Sequence, residues 1–262
     1  MRIAFMDSGI GGITVLHEAL RQLPYEDYIY YADTKHVPYG TKPKELVKQS
    51  IFEAVTELHD QGIKALVIAC NTATSIAVSE LRASFPFPII GMEPAVKPAV
   101  ERVQSLHKRV LVTATPLTLR ETKYQDLVAK TDNESIVDSL PLPELVTLCE
   151  QFEFREEAVL PYLREMLLPY RMEEYGSVVL GCTHFPFFRR HFRKLLPLHV
   201  ELIDGSGGTI KRLRQVLEQH GLLSRSGTGD VRYMSSKAEP GELERIRQAH
   251  LLLNETFNEN DN

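Results

Sequence analysis

The sequence predicts an α/β fold of two pseudo-symmetric, doubly wound parallel-sheet domains, with an active site between them. Short apolar runs alternate with amphipathic segments along the 262 residues, as is typical of parallel sheets covered by helices on both faces. One pattern also occurs twice, as ALVIACNT at 65–72 and VVLGCTH at 178–184. In each copy a buried strand ends at a cysteine followed by small polar residues. Because open α/β sheets bind ligands at the carboxyl ends of their strands, the two cysteines are expected to face one site.

The strands are predicted from short apolar runs rich in β-branched and aromatic residues. In chain order they are Ile3–Met6, Tyr28–Ala32, Ala65–Ala69, Ile89–Met92, Val110–Thr113, Ile136–Leu140, Ser177–Leu180, Val200–Ile203 and a segment near Val231–Met234. Proline residues 86 and 88 end one helix ahead of the fourth strand.

The helices are predicted from apolar residues that recur every three to four positions. In order they are Ile13–Leu23, Leu46–Leu58, Thr72–Phe85, Val96–Val103, Pro116–Val128, helices within Glu144–Leu168, Pro186–Leu196, Gly208–His220 and Gly241–Leu253. The polar tail Asn254–Asn262 is predicted to be disordered.

The domain boundaries are predicted near Glu93-Pro94 and Asp204-Gly205. Residues 1–94 together with 210–262 would form the first domain, and residues 95–209 a second domain inserted in it. A weak internal repeat supports this division, since the strands that end at Asp7-Ser8 and Ala114-Thr115 are also followed by polar residues.

Composition limits the class of protein. A content of 43% hydrophobic residues can form a substantial core, and a net charge of −5 gives no reason to expect nucleic acid or an anionic membrane as partner. No apolar run approaches the roughly 20 residues of a membrane-spanning helix, and the apolar start is too short for a signal peptide. Three cysteines without an export signal favour reduced thiols and a cytoplasmic location.

A glycine-rich turn follows the first strand as Asp7-Ser8-Gly9-Ile10-Gly11-Gly12. It could bind a small anion such as a carboxylate through its backbone N–H groups, or it could be only a tight strand-to-helix turn. Its glycine spacing differs from the dinucleotide fingerprint, and no lysine follows as in a P-loop. A carboxylate beside such a turn, as at Asp7, is expected to have a bonding partner or a functional role.

Cys70 and Cys182 allow four interpretations. They could be small buried hydrophobes, a disulfide, metal ligands together with His184, or a pair of thiols that work on one substrate. The reducing compartment disfavours a disulfide, and Cys-x-His lacks common zinc spacing and an evident fourth ligand. Cys149 is expected to be packed inside a helix. A catalytic thiol needs a neighbour that tunes its ionisation, and Asp7 and His184 are the available neighbours.

The whole chain resembles the glutamate racemases of the cofactor-independent amino-acid racemase superfamily. The resemblance is carried by the glycine-rich turn, Pro38-Tyr39-Gly40, the two cysteine motifs and Gly91-Met92-Glu93-Pro94. It implies two α/β domains related by a pseudo-twofold axis, glutamate held between two cysteines, no cofactor, no metal, a homodimer, and supply of D-glutamate for peptidoglycan.

The resemblance also implies roles for single residues. Cys70 and Cys182 would be the two acid/bases, Cys70 acting on D-glutamate and Cys182 on L-glutamate. Asp7 and His184 would assist these thiols, and Glu150 would lie near the second cysteine. The substrate-binding positions would be Asp7, Ser8, Pro38, Tyr39, Gly40, Asn71, Thr72, Thr115, Thr118, Thr183 and His184. Pro116 and Leu117 depart from the family pattern, which has a small residue at the position of Leu117.

Three other functions remain open at this stage. The same two thiols could racemise aspartate or another acidic amino acid. A dithiol redox protein would need Cys70 and Cys182 close enough to join. A nucleic-acid-binding role would rest on the basic run Arg189–Lys194, which is more often a solvated helix face, and no aromatic residue besides Phe192 is interleaved in it.

Overall fold

The computed structural model describes residues 1–258 and contains two parallel sheets. The first has five strands in the order β4-β3-β1-β2-β9. Its strands are β1 (Ile3–Asp7), β2 (Tyr28–Ala32), β3 (Ala65–Ile68), β4 (Ile89–Gly91) and β9 (Val231–Ser235). All neighbours in this sheet run parallel.

The second sheet has four strands in the order β6-β5-β7-β8, again all parallel. Its strands are β5 (Arg109–Ala114), β6 (Val137–Pro141), β7 (Tyr175–Leu180) and β8 (Glu201–Asp204). Each sheet with its helices is called a unit below, the first unit being that of the five-stranded sheet. The prediction of two parallel-sheet α/β domains is confirmed.

The helices connect successive parallel strands, as a doubly wound fold requires. They are α1 (Ile13–Gln22), α2 (Lys44–Asp60), α3 (Asn71–Ser84), α4 (Val96–Val103), α5 (Pro116–Arg120), α6 (Thr122–Thr131), α7 (Pro143–Glu150), α8 (Glu156–Leu167), α9 (Arg189–Leu195), α10 (Ser206–Gln219) and α11 (Glu242–Asn258). Because β9 pairs with β2, the end of the chain returns to the first sheet. The boundaries at 94/95 and 209/210 stay a prediction.

Helices cover both faces of the sheets, so the strands read as continuous apolar runs. Every residue of β1, β2 and β7 is buried. One hydrophobic cluster contains Phe5 of the first sheet and Val178 of the second, so the two units share a core. This shared core holds the carboxyl ends of β1, β3 and β7 in a fixed arrangement.

The helix predicted over Pro116–Val128 is wrong, because the chain forms two helices there. The break lies at Glu121, whose backbone is extended (φ −70°, ψ 136°). Its carboxylate is largely buried and accepts a hydrogen bond from Lys44 Nζ at 2.7 Å. A pairing with a residue 77 positions away has no local sequence signal.

Two further predictions need correction. The helix expected from Pro186 begins as a 3-10 turn, Phe185–Phe188, and becomes α-helical only at Arg189. The tail predicted to be disordered from Asn254 continues as α11 to Asn258, and the rest of that prediction lies outside the described residues. Within 1–258, no helix combines the length and apolarity that crossing a membrane requires.

Candidate active site

Cys70 follows β3 and caps the amino terminus of α3. Its Sγ accepts a hydrogen bond from Ala73 N at 3.4 Å and lies 3.9 Å from Ser8 Oγ. Burial raises the pKa of the Cys70 thiol well above its ordinary value, and the nearby Asp7 carboxylate raises it further. Cys70 is therefore a thiol, although the Ala73 N–H group and the helix terminus favour the thiolate once it forms.

Cys182 follows β7 and has a histidine beside it. His184 Nδ1 lies 3.7 Å from Cys182 Sγ, and His184 Nε2 lies 2.7 Å from Glu150 Oε1. Burial alone lowers the pKa of His184, but its hydrogen bonds to Cys182 and Glu150 hold that pKa well above its ordinary value. The imidazole can therefore hold a second proton, and a thiolate next to an imidazolium is the usual activated form of cysteine.

Glu150 orients this histidine from the end of α7. Its Oε1 also accepts a hydrogen bond from Ile10 N at 2.9 Å. Burial raises the pKa of Glu150, but the bonds from His184 and Ile10 outweigh this and hold the pKa below its ordinary value. Because an ionised carboxylate can only accept, the shared hydrogen belongs to His184 Nε2, and Nδ1 is left to exchange a proton with Cys182.

The glycine-rich turn binds carboxylates of the protein itself. Ile10 N donates to Glu150 of the second unit, and Gly9 N donates to Asp7 Oδ1 at 3.0 Å. Asp7 Oδ2 accepts from Thr183 Oγ1 at 3.1 Å. Complete burial raises the pKa of Asp7, against the opposing effect of His184. Asp7 thus links the turn to the residue that follows Cys182.

Three threonine hydroxyls meet where the two units touch. Thr72 Oγ1 lies 2.9 Å from Thr115 Oγ1 and 3.0 Å from Thr118 Oγ1, and the last two are 3.0 Å apart. Gly40 approaches so closely that a Cβ there would lie 2.4 Å from Thr115 Cβ. Leu117 of α5 packs into the core cluster of the first unit that contains Tyr39. Leu117, which departs from the family pattern, therefore joins the two units beside the site.

Asn71 is buried beside Cys70 with neither amide atom hydrogen-bonded to any described residue. An unpaired buried amide is costly unless a ligand or water pairs with it. Ser8 and Tyr39 are also buried, Pro38 is partly exposed, and the Tyr39 hydroxyl donates to Asp33. Asn71 is thus the polar group at the site most in need of a partner.

Comparison with known proteins identifies the group of enzymes to which this arrangement belongs. Residues 13–213 match the Asp/Glu/hydantoin racemase family along their length. This chain belongs to the Asp/Glu/hydantoin racemase family. It is therefore an isomerase that acts on amino acids or related compounds.

The relatives of this racemase cover nearly its whole length. The glutamate racemase of Halothermothrix orenii is 57% identical over 237 residues, which are 90% of this chain and 93% of the relative. The crystal structure of glutamate racemase isoform RacE1 from Bacillus anthracis has a TM-score of 0.83 at 30% identity, covering 95% and 93% of the two chains. The Escherichia coli glutamate racemase, solved with L-glutamate and an activator, has a TM-score of 0.82 at 30% identity, covering 95% of both.

Hydrogen bonds bring most of the predicted residues of this racemase together in three groups. Asp7, Thr183, His184, Glu150 and Cys182 form one chain of contacts. The second is the Ser8–Cys70 contact, and the third is the threonine cluster of Thr72, Thr115 and Thr118. Among residues 1–258 no cluster of three or more His, Cys, Asp or Glu could hold a metal ion. Sequence reasoning missed Arg245, whose Nη2 lies 2.7 Å from Glu150 Oε2.

The basic run of this racemase binds the protein itself. Arg189 donates to Leu202 O at 3.0 Å and to Asp204 Oδ2 at 2.8 Å, and Lys194 pairs with Glu156. These contacts fasten α9 to its neighbours, and Phe192 is buried. Arg189 and Lys194 are thus used in contacts within the protein.

Replacing Gly11 by alanine is expected to reduce turnover of this racemase by about 10²-fold, the cost typical of a 1 Å misplacement of catalytic groups. The added Cβ would lie 2.5 Å from His184 Nδ1 and 2.6 Å from Thr183 Oγ1, so both side chains must shift. The measurement is kcat/KM of purified variants. Gly208→Ala is the matched control, since a Cβ there meets no atom within 4 Å. Unchanged kinetics of Gly11→Ala would show that the position of His184 is unimportant.

Proposed function

We propose that this protein interconverts L-glutamate and D-glutamate without a cofactor, by a two-cysteine mechanism. The observation that carries the proposal is the placement of Cys70 and Cys182 at the carboxyl ends of β3 and β7, one in each unit, with a distinct set of polar neighbours. The names of its close relatives support glutamate as the substrate.

In the proposed mechanism the two thiols differ in protonation before substrate arrives. A proton moves from Cys182 Sγ to His184 Nδ1, which leaves a thiolate and an imidazolium, while burial keeps Cys70 a thiol. Cys182 then removes the α-proton of L-glutamate, and the Cys70 S–H delivers a proton to the opposite face. D-glutamate leaves, with Cys182 now a thiol and Cys70 a thiolate that Ala73 N stabilises.

Side-chain donors would stabilise the negative charge that develops on the substrate. The unpaired amide of Asn71 and the hydroxyl groups of Thr72, Thr115 and Thr118 are the available groups. The three hydroxyls bond to one another, so binding of a carboxylate would replace those bonds. Preorganised donors of this kind contribute most when water is excluded.

The test is chiral analysis of L-glutamate and L-aspartate, each incubated with the purified protein in D₂O. We expect racemisation of glutamate with incorporation of deuterium at the α-carbon, and much slower turnover of aspartate. Faster turnover of aspartate would identify it as the substrate and overturn the glutamate assignment. Activity that is lost after dialysis against a chelator and restored by a metal would overturn the two-cysteine mechanism.

Alkylation is expected to distinguish the two thiols of the free protein. Cys70 and Cys182 have nearly the same exposure, 6% and 7%, so access does not favour either. Iodoacetamide reacts with thiolates, so at neutral pH Cys182 should be labelled several-fold faster than Cys70, as measured by mass spectrometry of the peptides. His184→Asn should remove the difference. Faster labelling of Cys70 would contradict the proposed protonation states.

The cellular role is proposed from the resemblance. We infer that the protein is a cytoplasmic homodimer that supplies D-glutamate for peptidoglycan and so supports cell-wall biogenesis and cell shape. Sedimentation equilibrium tests the dimer, and depletion of the protein in its host should produce a growth defect that added D-glutamate relieves. A monomer in solution or growth unaffected by depletion would contradict these assignments.

A further inference from the structure

Arg245 binds Glu150 from the other unit of the protein. It lies on α11, which packs against β9 and α1 of the first unit, whereas Glu150 ends α7 of the second. Arg245 Nη2 donates to Glu150 Oε2 at 2.7 Å and also to the Glu150 backbone carbonyl. One guanidinium group therefore fixes both the side chain and the main chain of Glu150.

The guanidinium group is itself held in place. Its Nη1 donates to Glu242 Oε1 at 3.1 Å, and Glu242 is 7% exposed. Its central carbon lies 5.6 Å from the centroid of the Phe152 ring, within cation–π range. Because the guanidinium group is planar and rigid, these contacts orient Nη2 toward Glu150.

The carboxylate of Glu150 needs this third partner. Its Oε1 already accepts from Ile10 N and His184 Nε2, and Arg245 is the partner of Oε2 among the described residues. A carboxylate fixed through one oxygen can still twist about its last bond, which would move Oε1 away from His184. Bonds to both oxygens remove that freedom.

We propose that Arg245 is a positioning residue of the active site, which acts through Glu150 to hold the His184 imidazole in line with Cys182. The role in turnover rests on the proposed function. The proposal adds α11 to the elements that form the site, beside α7, which carries Glu150, and the segments that follow β1, β3, β5 and β7.

The experiment compares Arg245→Met and Arg245→Lys in the wild-type and Glu150→Gln backgrounds. Arg245→Met should lower kcat/KM by about 10–100-fold, the usual cost of a small misplacement. Arg245→Lys should recover part of the lost kcat/KM, since lysine keeps the positive charge but lacks the planar guanidinium group. In the Glu150→Gln background the further loss should be less than about 3-fold, because residues that act as a unit are not additive. Turnover is followed by α-proton exchange in D₂O, which detects slow variants.

The pH profile provides a second measurement. Hydrogen bonds from His184 and Ile10 hold the pKa of Glu150 below its ordinary value, and the bond from Arg245 makes a smaller contribution in the same direction. Removing Arg245 raises that pKa, so the acid limb of the profile should move to higher pH. Among the described residues, the other titratable groups that interact with Glu150 are Asp7, Tyr30, Cys149 and His184. Glu242 contacts Arg245 and Cys182 contacts His184, and all of these groups are the same in both proteins.

Arg247→Met is the matched control. Arg247 lies on the same helix, pairs with Glu244 and stacks over Tyr233, and should leave kinetics and pH profile unchanged. Full activity of Arg245→Met, or an undiminished loss in the Glu150→Gln background, would overturn the inference. An inactive wild-type protein would instead contradict the proposed function. The positioning role would then be decided by the proton NMR signal of His184 Nε2–H, which should shift or broaden in Arg245→Met and remain unchanged if the inference is wrong.

Discussion

Replacing either Cys70 or Cys182 by serine is expected to abolish measurable racemisation while the protein remains folded. Inversion requires a base on one face of the α-carbon and an acid on the other, so either loss stops turnover in both directions. A general acid or base alone typically contributes about 10²–10⁴-fold, and a serine hydroxyl is a far weaker acid than a thiol. Chiral chromatography of long incubations measures the residual rate.

Cys149 is the matched control for these variants. It is a third buried thiol, one residue from Glu150, and burial raises its pKa well above the ordinary value. Cys149→Ala removes a packed sulfur atom and should lower the melting temperature, yet it should keep racemisation. A Cys70→Ser or Cys182→Ser protein that racemises glutamate at a near-normal rate would remove that cysteine from the mechanism.

The parts of the site that sequence could predict are those carried by local pattern. The apolar runs before Cys70 and Cys182 end in small residues, and the alternation of such runs with helical segments predicts parallel strands. The position of both cysteines at the carboxyl ends of strands follows from these local patterns. The alternation of strands and helices likewise predicted the two sheets. The change from apolar to polar residues marks where each strand ends.

The parts that sequence could not predict depend on side chains that meet across long separations. Glu150 lies 140 residues from Ile10 and 34 from His184, and only the family resemblance suggested it. Arg245 belongs to an amphipathic helix in which any arginine reads as surface charge. The glycine-rich turn was recognised as a possible anion site, but its anions are Asp7 and Glu150 of the same chain. Such partners depend on the packing of the two units.

Asn substitutions of Asp7 and His184 are expected to slow opposite proton transfers. Asp7 raises the pKa of Cys70 and lies in the same unit, although its hydrogen bonds go to Gly9 and Thr183. His184 contacts Cys182 directly. We therefore assign Asp7 to proton transfer at Cys70 and His184 to proton transfer at Cys182. Each substitution should lower turnover by about 10²-fold, since the thiol assigned to the substituted residue loses its oriented neighbour.

The two substitutions can be distinguished only by particular measurements. L- and D-glutamate have equal free energy, so kcat/KM must fall equally in both directions whichever residue is changed. If the two proton transfers have separate transition states, His184→Asn makes the transfer at Cys182 the slower one. The substrate-deuterium effect should then rise with L-glutamate and fall with D-glutamate, while the solvent-isotope effect does the reverse. Asp7→Asn should give the opposite pattern, since the transfer at Cys70 becomes limiting. Identical isotope-effect profiles for both variants in both directions would contradict this assignment of neighbours and leave the two-cysteine mechanism standing.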